Sequence, residues 1–336
     1  MNIGICGTGT IASWTSDIIN QLGNENIVLY ACATSQGFDC GGFAAQYGWK
    51  KVHDSFDALM EDENVDLVYI AVPNTMHYEL CRKALDAGKA VLVEKPFAVN
   101  GTQAAELIAL AESRGLFLSE ALWPCFLPVY KDIRKEIEAG TIGDLIGGEI
   151  IMLDNVLFLP RVRSLELGGG SLLDGGSYTL GFMTSFFGTD IASVDAKVRK
   201  FETGVDAEDD FVVTYASGVK VHIRQTMDMP REKHEEYAEI IGSQGKIWVD
   251  CVSNPHNCRV YDLKGNVIKE IPVAPQIHFR GMPPVSGYEH EFLAYEKALR
   301  EGKTECAEAP HAQTLAIARV MTEIRRQGDI RFPFEE

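Results

Sequence analysis

The sequence predicts a two-part fold. An α/β domain with a doubly wound parallel sheet is expected over residues 1–122, and an α+β domain with a large, mostly antiparallel sheet over residues 123–336. In the first part, short apolar runs alternate with amphipathic segments, as a parallel sheet buried on both faces requires. In the second part, extended runs follow one another through hairpin-like turns without regular helical crossovers. The length of 336 residues is also typical of two domains.

Strands and helices alternate along the first part, beginning with a strand at the N-terminus. Short apolar runs predict strands at residues 2–6, 27–34, 67–72, 90–94 and 116–120. Helical periodicity predicts helices at residues 11–22, 43–47, 55–60, 77–87 and 102–114. Gly88 follows the fourth helix directly, and glycine is the residue that most often ends a helix in the left-handed conformation.

Extended runs dominate the second part. Strands are predicted at residues 145–153, 194–201, 211–215, 219–225, 237–241, 246–251, 260–263 and 267–271, and helices at 128–139, 171–187, 288–300 and 311–327. Apolar and polar residues alternate along several of these strands, so one face of the sheet is expected to be buried and the other more polar. We expect the closing helices to pack back on the first domain. The wide sheet, with one face not obviously covered, predicts a homodimer or a dimer of dimers.

Composition excludes several classes of protein. The net charge of −17 argues against a protein that binds nucleic acid or an anionic membrane surface. No apolar run approaches the roughly 20 residues that a membrane span needs, and the N-terminus lacks the features of a signal peptide. The eight cysteines form no C-x-x-C pair and sit mostly in apolar runs, which predicts reduced thiols in a cytoplasmic protein. Cys251, His256 and Cys258 form an isolated Cys/His cluster, so no metal site is expected.

A glycine motif follows the first strand directly. Gly7, Gly9 and Ala12 form a G-x-G-x-x-A sequence in which Thr10 and Ile11 open a helix. The first glycine permits a tight turn, the second permits close approach of a pyrophosphate, and the alanine keeps the helix near the strand. The helix N-terminus adds amide donors and positive potential. This context predicts a Rossmann domain that binds a dinucleotide.

The end of the second strand leaves the choice of cofactor open. An acidic residue there would bind the ribose of NAD, and an arginine would accommodate the 2′-phosphate of NADP. The chain instead has Thr34 and Ser35, whose hydroxyl groups could bind either ligand. We therefore expect NAD or NADP, without a preference that the sequence decides.

Two further loops follow strands at the same edge of the predicted sheet. One contains Pro73, Asn74 and His77, and the other contains Glu94 and Lys95. Ligands of open α/β folds bind at this edge, so all five residues are candidates for cofactor binding. Asn74 could equally cap a helix, and His77 could be an ordinary residue of the first helical turn.

The second part contains a candidate catalytic pair. Asp174 and Tyr178 follow a run of three glycines, and in a helix their spacing of four residues places them on one side. A nearby ammonium group, such as that of Lys95, would favour the phenolate form of the tyrosine. On spacing alone, a core tyrosine with a capping aspartate is the simpler interpretation.

Taken together, these motifs resemble a known family, the Gfo/Idh/MocA oxidoreductases. Within that family the chain is most similar to the branch of dihydrodiol and D-xylose dehydrogenases. The resemblance covers nearly the whole chain, through the segments Gly7–Ala12, Pro73–His77, Glu94–Pro96, Glu120–Phe126, Gly140–Leu145, Leu167–Tyr178 and Phe332–Pro333.

The resemblance implies roles for individual residues. Lys95, Asp174 and Tyr178 would line the site of hydride transfer, with Tyr178 as the proton donor or acceptor. Trp123 would form a wall of the substrate pocket. The further candidates for substrate contact are Phe126, Arg161 and Arg163, and a plain surface role is equally compatible with the two arginines.

Two departures from the family pattern affect these implications. Thr34 and Ser35 replace the Ser-Arg pair that suits NADP. The family's usual Asp-Ile-Gly-x-Tyr segment reads Asp174-Gly175-Gly176-Ser177-Tyr178 in this chain, and an added glycine destabilises a helix by about 1 kcal/mol.

The predicted function is reversible hydride transfer between the nicotinamide C4 and a carbinol or carbonyl carbon of a sugar, a cyclitol or a vicinal diol. The cofactor performs the redox chemistry, and the protein supplies orientation and electrostatics. Two alternatives stay open. One is a sensor that binds NAD(P) without turnover, and the other is a dehydrogenase that acts on a nucleotide-linked sugar.

Overall fold

Residues 1–273 and 287–335 are described by a computed structural model, and they divide into two units. Of these residues, the first unit contains 1–98, 102–123 and 287–314, and the second contains 99–101, 124–273 and 315–335.

A six-stranded parallel sheet forms the centre of the first unit. Its strands are β1 (Asn2–Cys6), β2 (Val28–Ala33), β3 (Lys51–Val52), β4 (Leu67–Ile70), β5 (Ala90–Glu94) and β6 (Leu118–Ala121), in the order β3-β2-β1-β4-β5-β6. The accompanying helices are α1 (Thr10–Leu22), α2 (Cys40–Tyr47), α3 (Phe56–Met60), α4 (His77–Asp86) and α5 (Gly101–Arg114). Every residue of β4, β5 and β6 is buried, so these strands are covered on both faces. The predicted doubly wound sheet is confirmed.

The strand order places four loops at one edge of this sheet. Strand β1 lies between β2 and β4 and is parallel to both, so the chain winds outward from β1 in two opposite directions. Such a reversal opens a crevice at the carboxyl ends of the strands, where ligands of open α/β folds bind. The loops that follow β1, β2, β4 and β5 all lie at that end.

An eight-stranded mixed sheet forms the centre of the second unit. After α6 (Pro128–Glu138), its strands are β7 (Leu145–Leu153), β8 (Ile191–Lys200), β9 (Asp206–Tyr215), β10 (Lys220–Thr226), β11 (Glu235–Gly242), β12 (Gly245–Val249), β13 (Cys258–Asp262) and β14 (Val267–Ile271). Their order is β14-β13-β12-β11-β7-β10-β9-β8. The pairing of β7 with β10 is parallel, and the others are antiparallel. The predicted mostly antiparallel sheet is confirmed.

The two faces of this sheet differ in character. The helix α7 (Ser171–Phe187) packs against β7, β9 and β10, and it covers the face to which Val221 and Ile223 contribute buried side chains. The opposite face carries polar pairs, among them the His222 Nε2 atom at 2.8 Å from Asp210 Oδ1. The predicted alternation of buried and polar faces follows the pleat of the strands.

The closing helices are α8 (Tyr288–Arg300) and α9 (His311–Gln327). Helix α8 belongs to the first unit, where the ring of Phe292 packs edge-on against Tyr69 with 5.9 Å between centroids. Among the described residues, no helix combines the length and apolar character that crossing a bilayer requires.

Two strands differ most from the sequence-based expectation. Strand β9 begins at Asp206, five residues before its predicted start at residue 211. Four of its first five residues, 206–210, are acidic. They do not produce the apolar alternation by which a strand is identified. Strand β3 is an additional edge strand of two exposed residues, Lys51 and Val52, and is too short to leave a sequence signal.

Candidate active site

The turn after β1 brings two strands into close contact. Gly7 has φ +113°, and a Cβ atom at this position would lie 2.3 Å from the carbonyl oxygen of Ala71, which follows β4. Its backbone amide donates a hydrogen bond of 2.9 Å to the carbonyl of Ala33, at the end of β2. Both the conformation and the close approach therefore require glycine here.

Gly9, in contrast to Gly7, has open space around the position of a Cβ atom. It caps α1 with φ −79°, and a Cβ atom there would meet no atom within 4 Å. No side chain caps the first turn of α1, and that turn contains no acidic residue. Gly9 and Thr10 are exposed, with Ile11 half-buried beside them. The open amide groups and the helix dipole of this N-terminus suit a pyrophosphate, so these residues fit a bound dinucleotide.

The end of β2 presents hydroxyl groups. Thr34 is half-buried, and its Oγ1 accepts a hydrogen bond of 3.2 Å from the hydroxyl of Thr8 in the first loop. Ser35 is exposed. Neither position carries the carboxylate or guanidinium group by which the ribose of NAD or the phosphate of NADP is usually selected.

The loops after β4 and β5 are joined by a buried histidine. The His77 ring is 1% exposed, with Nδ1 at 2.9 Å from the Pro96 carbonyl and Nε2 at 2.9 Å from the Val72 carbonyl. Burial lowers the pKa of His77, and the charge of Lys95 lowers it further, whereas the hydrogen bonds to the two carbonyls raise it. The ring nitrogens thus lie against backbone carbonyls, while Asn74 begins a short 3-10 turn, Asn74–Met76.

Lys95 lies at the end of β5 next to buried carboxyl groups. It is half-buried, and Glu94 beside it accepts a hydrogen bond of 2.5 Å from the Tyr69 hydroxyl. Burial raises the pKa of Glu94 to about 7, although the Tyr69 hydroxyl and the positive charge of Lys95 favour its ionised form. A carboxyl group of this kind titrates near neutrality.

Two further acids complete this group, which we call the acid cluster: Glu94, Glu120 and Glu291. Glu120 accepts hydrogen bonds from the Phe97 amide at 3.0 Å and the Thr314 hydroxyl at 3.2 Å. Burial raises its pKa to about 7. Glu291, on α8, is fully buried, and burial together with the charge of Glu94 raises its pKa well above the ordinary value. The sequence predicts no role for Glu120 or Glu291, because an isolated acid in a strand or helix pattern is usually a surface residue.

The acid cluster makes stability depend on pH. The pKa of Glu120 in the folded protein, about 7, exceeds its ordinary value of 4.5. Below pH 4.5 the carboxyl group is protonated in both the folded and the unfolded state, so it does not affect the free energy of unfolding. As the pH rises from 4.5 to about 7, the unfolded state ionises more readily than the folded state, and the folded protein loses stability. Glu120→Gln is therefore expected to gain stability relative to wild type between pH 4.5 and 7, by on the order of 3 kcal/mol at most. Thermal unfolding across this pH range measures the difference. Exposed Glu63→Gln is the control, and a difference for Glu120→Gln that stays flat with pH would contradict the prediction.

Helix α7 presents the candidate catalytic pair. Of residues 171–180, only Asp174 and Tyr178 are half-buried rather than buried. One helical turn separates them, so they occupy the single accessible side of this segment, as their spacing predicts. The Nη1 atom of Arg161 lies 2.5 Å from Asp174 Oδ1. Arg163, two residues further on, is exposed. The structure thus places Arg161 at Asp174.

The two aromatic candidates are buried. Trp123 and Phe126 bound a short 3-10 turn and are 5% and 7% exposed, respectively. The Trp123 ring stacks on Tyr288, with 4.8 Å between centroids and 18° between planes. Tyr288, at the start of α8, was not among the predicted site residues. Among the described residues, no group of three His, Cys, Asp or Glu side chains is placed to hold a metal ion.

Comparison with known proteins gives a consistent result along the chain. Residues 1–122 match the family model described as an oxidoreductase family with an NAD-binding Rossmann fold. Residues 130–248 match the Gfo/Idh/MocA C-terminal domain. Similar curated proteins are the trans-1,2-dihydrobenzene-1,2-diol dehydrogenases of Mus musculus and Homo sapiens, at 30% and 29% identity. In both cases the match covers 98% of this chain and 97% of the relative.

Solved structures share the fold over almost the whole chain. One is a 3-ketoreductase from Actinomadura kijaniata in complex with NADP and TDP-benzene, with a TM-score of 0.82 and 23% identity over 97% of each chain. Another is a levoglucosan dehydrogenase in complex with NADH and levoglucosan, with a TM-score of 0.83 and 19% identity over 99% of each chain. With the two family models and the full-length relatives, these matches show that the chain belongs to the Gfo/Idh/MocA family of NAD(P)-dependent oxidoreductases.

Proposed function

We propose that this enzyme transfers a hydride reversibly between NAD(P) and a carbinol carbon of a vicinal diol, with sugars and cyclitols as related substrates. The observation that carries the proposal is the accessible pair on α7, Asp174 and Tyr178, with Arg161 at 2.5 Å from the aspartate. The full-length relatives at about 30% identity, which are named as diol dehydrogenases, support the substrate class.

The cofactor would be held by the first unit. Gly7, Gly9 and the first turn of α1 would bind the pyrophosphate, and Thr34 and Ser35 would lie at the adenosine ribose. The loops that His77 joins would complete this edge of the sheet. When bound, the nicotinamide supplies the acceptor or donor of the hydride.

The remaining chemistry is a proton transfer and the positioning of the substrate. In our proposal, Tyr178 gives or takes the proton at the reacting oxygen, and the ammonium group of Lys95 favours the phenolate form of that tyrosine. Asp174 accepts a hydrogen bond from the neighbouring hydroxyl, with its carboxylate oriented by Arg161. Side chains four residues apart on a helix have Cβ atoms about 5–6 Å apart, which suits two hydroxyl groups on adjacent carbons. Trp123 and Phe126 would contribute apolar surface beside the substrate.

Steady-state rates at the NAD(P)H absorbance band test this proposal. The panel contains trans-dihydrodiols, aldoses, inositols and nucleotide-linked sugars, each with NAD and with NADP. We expect the highest kcat/KM for a trans-dihydrodiol. A higher kcat/KM for a nucleotide-linked sugar would instead favour a dehydrogenase of nucleotide-linked sugars. Cofactor binding without turnover of any compound would indicate a sensor.

The preference between NAD and NADP depends, in our proposal, on Ser35. This residue is exposed at the end of β2, so an arginine there has room to reach a 2′-phosphate. Ser35→Arg is expected to raise the affinity for NADP relative to NAD roughly tenfold, about 1.4 kcal/mol. Thermal-shift titrations with each cofactor measure the two affinities. Ser35→Ala is the control. If Ser35→Arg leaves the ratio of the NADP and NAD affinities unchanged, the adenosine ribose does not bind beside residue 35.

We also propose a cytoplasmic homodimer, or a dimer of dimers, that is formed through the polar face of the large sheet. His222, Asp210 and Tyr237 on this face are half-exposed, and polar pairs of this kind are common in interfaces that are not obligate. The eight cysteines are all free thiols, which supports a reducing compartment. Light scattering at micromolar concentration should give at least twice the mass of 37.1 kDa. A monomeric mass would contradict the dimer.

A further inference from the structure

Two carboxyl groups lie together behind α7, at the start of β9. Asp206 and Asp209 are 1% and 0% exposed, and their side chains lie within hydrogen-bonding reach of each other. The Oδ1 atoms of both are fully buried, and the buried hydroxyl of Ser171 lies beside Asp209 and favours its ionised form. Two carboxylates in contact cannot both be ionised in a buried site, so one proton must lie between them.

A chain of hydrogen bonds extends from this pair in both directions. The Leu172 amide donates to Asp206 Oδ2 at 2.5 Å. On the other side, the Gln225 side-chain amide donates to Asp209 Oδ2 at 3.1 Å, and its carbonyl accepts from the Thr179 hydroxyl at 2.8 Å. These hydrogen bonds therefore connect the two ends of helix segment 172–179 through the carboxyl pair and Gln225.

This segment contains both Asp174 and Tyr178. It also contains Gly175 and Gly176, each of which weakens a helix by about 1 kcal/mol relative to alanine. A Cβ atom at position 176 would lie 3.3 Å from the Nε2 atom of Gln225, so glycine there lets the helix approach the sheet closely. Intrinsic helix propensity contributes little to this segment, so its position depends on burial against the sheet and on the hydrogen bonds to the sheet.

The charges around the pair favour one arrangement of the proton. The positive charge of Arg325, on α9, stabilises the ionised form of Asp206. Burial and the negative charge of Asp206 raise the pKa of Asp209 well above its ordinary value. With the proton on Asp209, each of the four hydrogen bonds along this path has a donor and an acceptor. Thr179 donates to Gln225, Gln225 donates to Asp209, and Asp209 donates to Asp206, which also accepts from Leu172.

We propose that Asp209, Asp206 and Gln225 are positioning residues for the reaction, and that the proton between the two carboxyl groups completes a clamp on helix segment 172–179. The clamp acts through Asp174 and Tyr178, so its catalytic consequence rests on the function proposed above. The existence of the clamp as a hydrogen-bonded unit does not depend on that function.

Asp209→Asn and Gln225→Leu provide a matched test. An asparagine amide can donate to Asp206 while its carbonyl accepts from Gln225, so Asp209→Asn should retain kcat within roughly twofold. Gln225→Leu interrupts the chain and should lower kcat roughly tenfold or more, with a smaller change in KM. The affinity for NAD(P) should stay the same in both, because the cofactor residues lie in the first unit. Asp195→Asn, an exposed change on β8, is the control for loss of charge.

Two measurements do not require turnover. The infrared difference spectrum of wild type minus Asp209→Asn should show the carbonyl band of a protonated carboxyl group at neutral pH. Amide hydrogen exchange of residues 172–179 should become faster in Gln225→Leu and stay slow in Asp209→Asn. If no diol or sugar is turned over by wild type, the proposed function fails, and these two measurements still decide whether the clamp exists.

Three results would overturn the inference. One is a difference spectrum without the protonated-carboxyl band. Another is equal loss of kcat in Asp209→Asn and Gln225→Leu, since the isosteric amide should rescue a clamp. The last is a folded Gln225→Leu variant with wild-type kcat and wild-type amide exchange in residues 172–179.

Discussion

Tyr178→Phe is expected to fold as stably as wild type and to lose roughly 10²–10⁴-fold in kcat, the usual contribution of a general acid or base. The variant removes a single hydroxyl from a half-buried position on α7 and leaves the ring in place. Substrate binding should change little, because the hydroxyl acts mainly when the proton moves in the transition state. Steady-state kinetics at saturating cofactor separate kcat from KM, and thermal unfolding verifies the fold.

Tyr47→Phe is a suitable control, since this half-buried tyrosine lies on α2 with its ring 4.9 Å from that of Phe43. It should keep wild-type kcat. A Tyr178→Phe variant within threefold of wild type would mean that another group moves the proton.

A double variant tests whether Lys95 and Tyr178 act together. If the proposed roles hold, Lys95→Met alone should lower kcat, because it removes the ammonium group that would favour the phenolate. If the lysine acts through the tyrosine, adding Lys95→Met to Tyr178→Phe should cost little more, so the two effects are not additive. Fully additive losses would show that the two residues contribute independently, and the proposed pairing would be wrong.

The parts of the fold that are governed by local rules could be predicted from the sequence. The alternation of apolar runs and helices predicted the parallel sheet, because each strand of it must be apolar on both faces. The G-x-G-x-x-A motif predicted the first loop, because the backbone at Gly7 permits no side chain. The spacing of Asp174 and Tyr178 predicted a shared side of one helix, which is a property of helical geometry alone.

Buried carboxyl groups could not be predicted, because their partners are distant in the sequence. Asp206 accepts a hydrogen bond from the amide of Leu172, 34 residues earlier. Glu120 accepts one from the hydroxyl of Thr314, 194 residues later. Without these partners, an acid in an extended segment indicates a loop or a surface strand, which is why the start of β9 was placed too late.

His77 shows a similar limit. The sequence predicted that this residue lies at the end of the loop after the third predicted strand. In the structure it is the first residue of α4, directly after that loop. What the sequence could not indicate is that both ring nitrogens lie 2.9 Å from backbone carbonyls, those of Val72 and Pro96. The ring spans two loops that are joined to different strands, and only the folded sheet brings those loops together.

Gly9→Asp is expected to stabilise the cofactor-free protein while it removes NAD(P) binding. Gly9 caps α1 without a side-chain hydrogen bond, and an aspartate at this position can bond to the open amides of the first turn and interact with the helix dipole, for a gain of about 0.5–1 kcal/mol. The same carboxylate would occupy the space of the pyrophosphate and repel its charge. We expect the Kd for NAD(P) to rise at least roughly a hundredfold, about 2.7 kcal/mol. Differential scanning fluorimetry with and without each cofactor, together with calorimetric titration, measures both effects.

Gly7→Ala should behave in the opposite way, and the contrast separates a binding role from a structural one. The added Cβ atom would lie 2.3 Å from the Ala71 carbonyl oxygen, at φ +113°, so the strands must move apart, at a cost of roughly 3 kcal/mol or more in stability. Gly7→Ala therefore loses stability first, and cofactor binding declines with the folded fraction. Gly9→Asp loses binding while its Tm rises, because no atom lies within 4 Å of a Cβ at that position. Wild-type affinity for NAD(P) in Gly9→Asp would mean that the pyrophosphate does not bind at the N-terminus of α1.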